Sequence, residues 1–285
     1  MAFASPLPAD LGQQVLSALT EDVADGDVTA NLVPPGQRVR ARVITREAMV
    51  LCGRAWVEET FARLDPHIAL TWHVEEGAQA QAGELLLTLA GLARPILTGE
   101  RTALNFLQLL SATATEARRY VDAVAGTDCT ILDTRKTLPG LRTAQKYAVR
   151  CGGARNHRMG LYDMVLIKEN HIAAAGSLSK AIATARATTP RLQVETEVET
   201  LGQLEEALGA RADIVLLDNF DLGDLRKAVE RNRQAGSPLK LEASGGTSLD
   251  TVRAIAETGV DYISVGALTK HVRAIDLSMR FEFIA

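Results

Sequence analysis

The sequence predicts a mixed α/β protein, an amino-terminal α+β domain followed by an irregular, incomplete α/β barrel, and three observations carry that prediction. Up to about residue 112, apolar residues recur with both helical and strand periods. Beyond it, a short continuous apolar segment is followed by a helical one again and again, the pattern of a parallel sheet covered by helices. Finally, Arg135, Lys168, Glu197, Asp218, Ser244 and Gly266 each stand at or just past the carboxyl end of a different predicted strand. A barrel spreads its functional residues around the top face in this way, whereas an open doubly wound sheet gathers them at one switch point.

Taken in order, "DLGQQVLSALTEDV" spaces Leu11, Val15 and Leu19 as a helix does. "RVRARVITR" alternates Val39, Ala41 and Val43 with arginines, the signature of a half-buried strand. "ITREAMVLCG", "IALTWHVEEG" and "GELLLTLAG" continue an antiparallel sheet, with turns at Gly53, Gly77, Gly83 and Gly91. A long helical region follows from residue 94 to 124, with Leu104, Leu107, Leu110 and Ser111 on one face, and is expected to bridge two domains. The first domain is placed at 1–112 and the barrel at 113–269. The barrel strands are "CTILDT", "MVLIK", "LQVETE", "DIVLLDN", "LKLEAS" and "DYISVG". Six strands fall short of the eight of a complete barrel.

Composition narrows the function. A chain of 285 residues with 47% hydrophobic and 23% charged residues is ordinary globular material with a sizeable core. Its net charge of -4 argues against a nucleic-acid binder, so an anionic partner of the basic residues should be small. Cys52, Cys129 and Cys151, an odd and scattered set, show no CxxC pairing, which argues against a disulfide framework and a cysteine-rich zinc site and points to a reducing compartment. The first residues lack a basic stretch followed by an apolar run, and no segment reaches the length of a membrane span. The expectation is a cytoplasmic protein with no membrane partner.

Against that acidic balance, "CGGARNHRMGLYDMVLIKENH" gathers Arg155, His157, Arg158 and Lys168, with Arg135, Lys136, Arg142, Lys146 and Arg150 just upstream. Either this is a solvated basic face or it holds something negative. "EASGGTS" places Gly245 and Gly246 between a strand and a helix, either as a tight turn or as main-chain N–H groups and a helix N-terminus around a phosphate. "SVGALT" repeats a glycine after the last strand, and paired loops of this kind make the usual phosphate site of a barrel. Glu197 and Asp218 end adjacent strands, either as salt-bridge partners of Lys168 or Arg158 or as carboxylates serving Mg²⁺ and ribose hydroxyls. Arginine forks suit planar carboxylates, and lysine adds a point charge.

"ERTALNFLQ", "DTRKTLPGLR", "KYAVRCGGARNHRMGLYDMVLIKENH", "ETEVE", "LLDNF", "LEASGG" and "VDYISVGALT" closely resemble, in order and through nearly the whole chain, the quinolinate phosphoribosyltransferase family. The resemblance implies decarboxylating transfer of phosphoribosyl from phosphoribosyl pyrophosphate to quinolinate, giving nicotinate mononucleotide for NAD synthesis. It also implies an open-faced amino-terminal sandwich completed by residues 270–285, an irregular barrel, Mg²⁺ as cofactor and at least a homodimer. Carried over by position, it makes Arg101, Arg135, His157, Arg158 and Lys168 the quinolinate-binding cations, with Thr134 also in contact with substrate. Lys136 is implied at the diphosphate, Glu197 and Asp218 at ribose and Mg²⁺, and Ser244, Gly245, Gly246, Val265, Gly266 and Ala267 around the 5'-phosphate. Lys136, Lys168, Glu197 and Asp218 are the expected catalytic set. The residues alone also admit a Schiff-base lyase using Lys168, a non-catalytic phosphate-binding barrel, or a related phosphoribosyltransferase for nicotinate or another aromatic acid.

Overall fold

The computed structural model describes residues 5–236 and 239–284. Its elements run α1 (Leu11–Val23), β1 (Arg38–Thr45), β2 (Met49–Val50), α2 (Arg54–Leu64), β3 (Ala69–Trp72), β4 (Gln79–Ala80), β5 (Leu85–Leu92), α3 (Ala93–Ala123) and β6 (Thr130–Leu132). They continue α4 (Arg142–Cys151), β7 (Val165–Ile167), α5 (Glu169–Ala175), α6 (Leu178–Thr188), β8 (Val194–Val198), α7 (Leu201–Ala210), β9 (Ile214–Asp218) and α8 (Leu222–Gln234). The last are β10 (Lys240–Ser244), α9 (Val252–Ala256), β11 (Tyr262–Ser264), α10 (Ala267–Lys270) and β12 (Leu277–Ile284). Two compact units result. One takes the chain up to Arg118, Thr137–Gly153 and the chain from Ala267; the other takes Arg119–Lys136 and Ala154–Gly266.

In the first unit, arginine at every second position of β1 leaves Val39, Ala41 and Val43 to face one side. The strand lies in an antiparallel sheet of order β12-β1-β5-β3, with Arg38 opposite Ile284 and Thr45 opposite Leu277, so the end of the chain supplies an edge. The apolar face packs on Val57 and Phe61 of α2 and on Ile96, Leu104 and Leu107 of α3, while Arg38, Arg40 and Arg42 keep the other face wet. That is an open-faced sandwich. Helix α2 was not anticipated in the sequence, although Trp56, Val57, Thr60 and Phe61 are buried along it at helical spacing.

A second cluster in the same unit joins Val15 and Leu19 of α1, Phe106 and Leu110 of α3, and Ala144, Tyr147, Ala148 and Cys151 of α4. Residues 137–153, expected in the barrel, therefore belong with the first unit, because the apolar face of α4 finds its partners on α1 and α3. By packing, the first compact unit runs on to Arg118, within α3. Gly152 shows how close the packing is. A Cβ there would lie 2.4 Å from the Ala114 carbonyl oxygen and 2.6 Å from the Ala117 Cβ. The first glycine of "CGG" is thus a helix-crossing residue.

The second unit holds six parallel strands in the order β6-β11-β10-β9-β8-β7, and these are the six predicted from the sequence. A single parallel bridge between Leu132 and Arg155 extends the sheet beyond β6. In a flat sheet, five strand spacings would separate β6 from β7 by about 24 Å. Yet Thr134 and Lys168, just past the ends of those two edge strands, line one cavity of about 510 Å³. The sheet is therefore rolled into a barrel, and among the described residues no ladder joins β7 back to β6, so the barrel is incomplete. Leu178 and Ile182 of α6, Leu204 and Ala207 of α7, and Leu225 and Ala228 of α8 are buried as its outer cover. No described helix is long and apolar enough to cross a membrane.

Gly152→Ala should destabilise the protein by about 1–3 kcal/mol, since the obstructing atom is a main-chain oxygen in a packed helix pair. A urea midpoint equal to that of the wild type would show that the α3–α4 contact yields without strain.

Candidate active site

Strand alternation builds the site. Inward positions on β8 are Glu195 and Glu197, on β9 Leu216 and Asp218, and on β10 Glu242 and Ser244. Thr134, Arg135 and Lys136 after β6, His157 and Arg158 before β7, Lys168 after β7 and Ser264 on β11 complete the wall. The cavity has two tiers, a mouth of Lys136, Lys168, Glu197, Asp218 and Ser244 and a floor of His157 and Glu242, with Glu195 buried against the His157 ring.

At the mouth, Lys168 Nζ lies 2.5 Å from Glu197 Oε2. Of the two readings left open by the sequence, the ion pair with Lys168 is present for Glu197. Asp218 has no such partner shown; its Oδ2 accepts from Asn219 Nδ2 at 2.8 Å. Burial first and then the Glu197 charge raise the Asp218 pKa, against the opposing pull of Lys168 and Lys136. Two carboxylates that repel in this way are a donor set suited to a divalent cation. Arg158 is pulled below its ordinary pKa by burial and then by the Arg135 cation, with Glu195 and Asp163 acting the other way. The arginines are crowded by like charge, as a site for an anionic ligand would be.

Gly245 and Gly246 both have positive φ, +98° and +57°. A side chain at Gly245 would collide with Asn219, whose Oδ1 lies 2.1 Å from the Cβ position. The helix expected to follow directly, α9, begins only at Val252, so this loop offers main-chain N–H groups without an adjoining helix terminus. Gly266 allows Lys136 to pass close by, its Cδ 3.0 Å from a would-be Cβ. Gly245, Gly246, Val265 and Gly266 adjoin the cavity through the strand ends but are not among its lining residues, and neither are Arg101 and Ala267, which belong to the other unit. The basic set divides as well. Arg142, Lys146 and Arg150 lie on α4 in the first unit, where Arg150 Nε donates to Ser5 Oγ and Lys146 is fully buried.

Several site residues were not singled out in the sequence. Glu195 and Glu242 are 0% and 1% exposed, and Asp133 is equally buried, accepting from the His157 main-chain N–H at 2.8 Å and from Asn156 Nδ2 at 2.6 Å. Asn219 braces Asp218 and the glycine loop. A signal for Glu195 was present, since it stands two residues before Glu197 on a strand and must share its face.

Residues 27–111 match the amino-terminal domain of quinolinate phosphoribosyl transferase, and residues 113–280 match its carboxyl-terminal domain. The chain belongs to the quinolinate phosphoribosyltransferase family. It is 45% identical over 268 residues to the nicotinate-nucleotide pyrophosphorylase [carboxylating] of Mycobacterium leprae, covering 92% of this chain and 94% of that one. It is 37% identical over 291 residues to quinolinate phosphoribosyltransferase [decarboxylating] 1b of Nicotiana tabacum, covering 96% and 83%. The nicotinate-nucleotide pyrophosphorylase structure from Francisella tularensis superposes with a TM-score of 0.93 at 46% identity, over 97% of this chain and 98% of that one. Human nicotinic acid phosphoribosyltransferase, at 16% identity and a TM-score of 0.59, shares the fold alone.

In this member of the quinolinate phosphoribosyltransferase family, the floor acid Glu242 is raised to about 8, first by burial and then by the Glu195 charge. The folded state thus holds a proton that the unfolded chain releases above about 4.5. The resulting stability is complete below that value and is lost as pH rises through about 8. Glu242→Gln should flatten the stability profile in this window. Denaturation midpoints with the same pH slope in both proteins would mean that Glu242 titrates as an ordinary carboxylate.

Proposed function

We propose that the chain transfers phosphoribosyl from phosphoribosyl pyrophosphate to quinolinate with loss of CO2, yielding nicotinate mononucleotide and pyrophosphate for NAD biosynthesis. The observation that carries this reading is one barrel mouth that combines a cationic cradle with an acidic pair in a chain matched to this family over residues 27–111 and 113–280. Arg135, Arg158 and Lys168, helped by Thr134 and His157, receive the two carboxylates of quinolinate. Lys136 faces the diphosphate. Main-chain N–H groups of Gly245, Gly246, Val265, Gly266 and Ala267, with the Ser244 hydroxyl, take the 5'-phosphate. Glu197 and Asp218 serve the ribose, and with their mutual repulsion they are also the pair that would hold Mg²⁺. When bound, Mg²⁺ supplies charge stabilisation to the departing pyrophosphate.

The residue types follow from the reaction. Breaking the anomeric C–O bond leaves positive charge on the ribose and negative charge on pyrophosphate, where the Lys136 ammonium is matched to the charge as it develops. The carboxylates Glu197 and Asp218 stabilise the ribosyl cation from the other side. The arginine forks hold the pyridine nitrogen in line for attack, and orientation of this kind can lower a barrier by about 7 kcal/mol. Once alkylated, the ring nitrogen is cationic and stabilises the electron pair left on the adjacent carbon when CO2 departs; a proton then bonds to that pair in place of the carboxylate. A Schiff base at Lys168 is disfavoured, because an ammonium paired with Glu197 is the opposite of the neutral amine required.

The chain functions in the cytoplasm as a homodimer with shared sites, in which Arg101 reaches the neighbouring subunit. Buried, unbridged Cys52, Cys129 and Cys151 support a reducing compartment. Wild-type protein given phosphoribosyl pyrophosphate should release CO2 and pyrophosphate with quinolinate but not with nicotinate; turnover of nicotinate alone would assign the chain to a related phosphoribosyltransferase. Lys168→Ala and Arg158→Ala should each weaken quinolinate binding by about 10–100-fold, the worth of a charge-assisted hydrogen bond. Calorimetry returning wild-type affinity in both would remove the carboxylate-binding role. Arg101→Ala and Arg158→Ala homodimers should both be nearly inactive, while random co-assembly restores about a quarter of wild-type sites, because each mixed dimer keeps one intact site. A purified mixed dimer no more active than its parents would place Arg101 in its own subunit's business.

A further inference from the structure

Lys168 stands at an awkward place for a residue that must present a cation. It is the N-cap of α5, where Ser, Thr, Asp or Asn ordinarily accepts a main-chain N–H of the first turn. A lysine ammonium has three donors and no acceptor, and its charge lies near the positive end of a helix. The β7–β8 ladder does not reach it, since that pairing ends with Ile167 opposite Thr196. Burial does not fix it either. Ile167 and Leu178 are buried on either side, but α5 between them contributes no buried side chain.

His171, three residues on, holds this turn. The Lys168 main-chain N–H donates to His171 Nδ1 at 3.0 Å, and the His171 N–H donates to the Lys168 carbonyl oxygen at 2.8 Å. The ring reaches back to the N-cap as the third-position residue of a capping box does, with imidazole where glutamate or glutamine is usual. Lys168 keeps a φ of -117° and a ψ of 169°, an extended backbone that continues the strand. Strand parity then sets Lys168 on the face of Leu166, and both line the cavity, where Lys168 Nζ meets Glu197 Oε2.

We propose that His171 is a positioning residue: its Nδ1 caps the Lys168 main chain and so holds the Lys168 ammonium in the barrel mouth. The inference rests on reading that mouth as the quinolinate site. The reach-back bond exists only while Lys168 is the N-cap. Were α5 to begin one residue earlier, Lys168 would take helical angles and leave the line of Leu166, because successive helical residues turn by about 100°. His171 itself is not among the residues lining the cavity, so its effect on a ligand passes through Lys168.

The test reads the cap and the ligand separately. In ligand-free protein labelled with ¹⁵N-lysine, the Lys168 amide is identified by its loss in Lys168→Ala, and its exchange with solvent is measured by NMR. His171→Ala should speed that exchange by about tenfold, whereas His171→Gln, whose amide oxygen can make the same bond, should stay within about threefold of wild type. Calorimetry with quinolinate then asks whether the ammonium has moved. His171→Ala should bind about 3- to 10-fold more weakly than wild type, and His171→Gln should bind nearly as well as wild type. Adding His171→Ala to Lys168→Ala should change the affinity no further, because the group it displaces is already gone. A cap that served only to stabilise α5 would leave quinolinate affinity unchanged, or weaken it equally in both backgrounds, and either result overturns the proposal. So does an exchange rate that His171→Ala shares with wild type, or a His171→Gln protein that behaves as the alanine variant. Should His171→Ala fail to fold by circular dichroism, slow exchange in wild type retained with full affinity in His171→Gln supports the cap, and its loss in either overturns it. Exchange is read without substrate, so a wild type that binds no quinolinate would sink the functional reading and leave the cap measurement intact.

Discussion

Charge crowding at the mouth of one barrel is the constraint on which the site depends. Arg135, Lys136, Arg158 and Lys168 line a single cavity of about 510 Å³, where their repulsion is screened less than it would be in water. The effect shows in Arg158, whose guanidinium is pulled down by burial and by Arg135 together. Such a cradle needs counter-charges in place before its ligand arrives. Glu197 supplies one at the mouth by pairing with Lys168, and Glu195 and Asp163 supply others around Arg158. On the function proposed above, a dianionic ligand would complete that field.

The barrel makes this arrangement possible because strand parity sorts side chains by tier. On β8, Glu195 and Glu197 share the inner face two residues apart, one in the floor and one at the mouth, while the intervening Thr196 turns away. On β10 the same step separates Glu242 from Ser244. A slip of one residue in any of these strands would carry its acids to the helical shell. The unbroken registers Lys240 to Ile214 through Ser244 to Asp218 and Glu195 to Ile214 through Val198 to Leu217 hold the acids inside.

The first unit follows a different logic, that of a sheet with one apolar face. The arginines of β1 keep one side wet, and α2 and α3 cover the other. Its least obvious member is α4, which follows the barrel's first strand in sequence yet packs its apolar face with α1 and α3. Gly152 at the end of α4 permits that packing by leaving room for the Ala114 carbonyl.

Periodicity in the sequence was enough to reveal the six barrel strands, the long α3 and the arginine-alternating β1, because each of these patterns is local and repeats several times. The identities at the strand ends were legible too, since a strand that ends in Lys168, Glu197 or Asp218 must offer that group at the rim wherever the strand lies. Helix α2 was hidden by its polar residues, and α4 by its place in the chain. The floor was hidden for a deeper reason. Glu195, Glu242, Asp133 and His157 come from separate strands and loops, and only the rolling of the sheet brings them together. Sequence therefore determined which chemical groups the barrel would present. Tertiary structure alone decided which charges face one another, because that depends on distances between segments far apart along the chain.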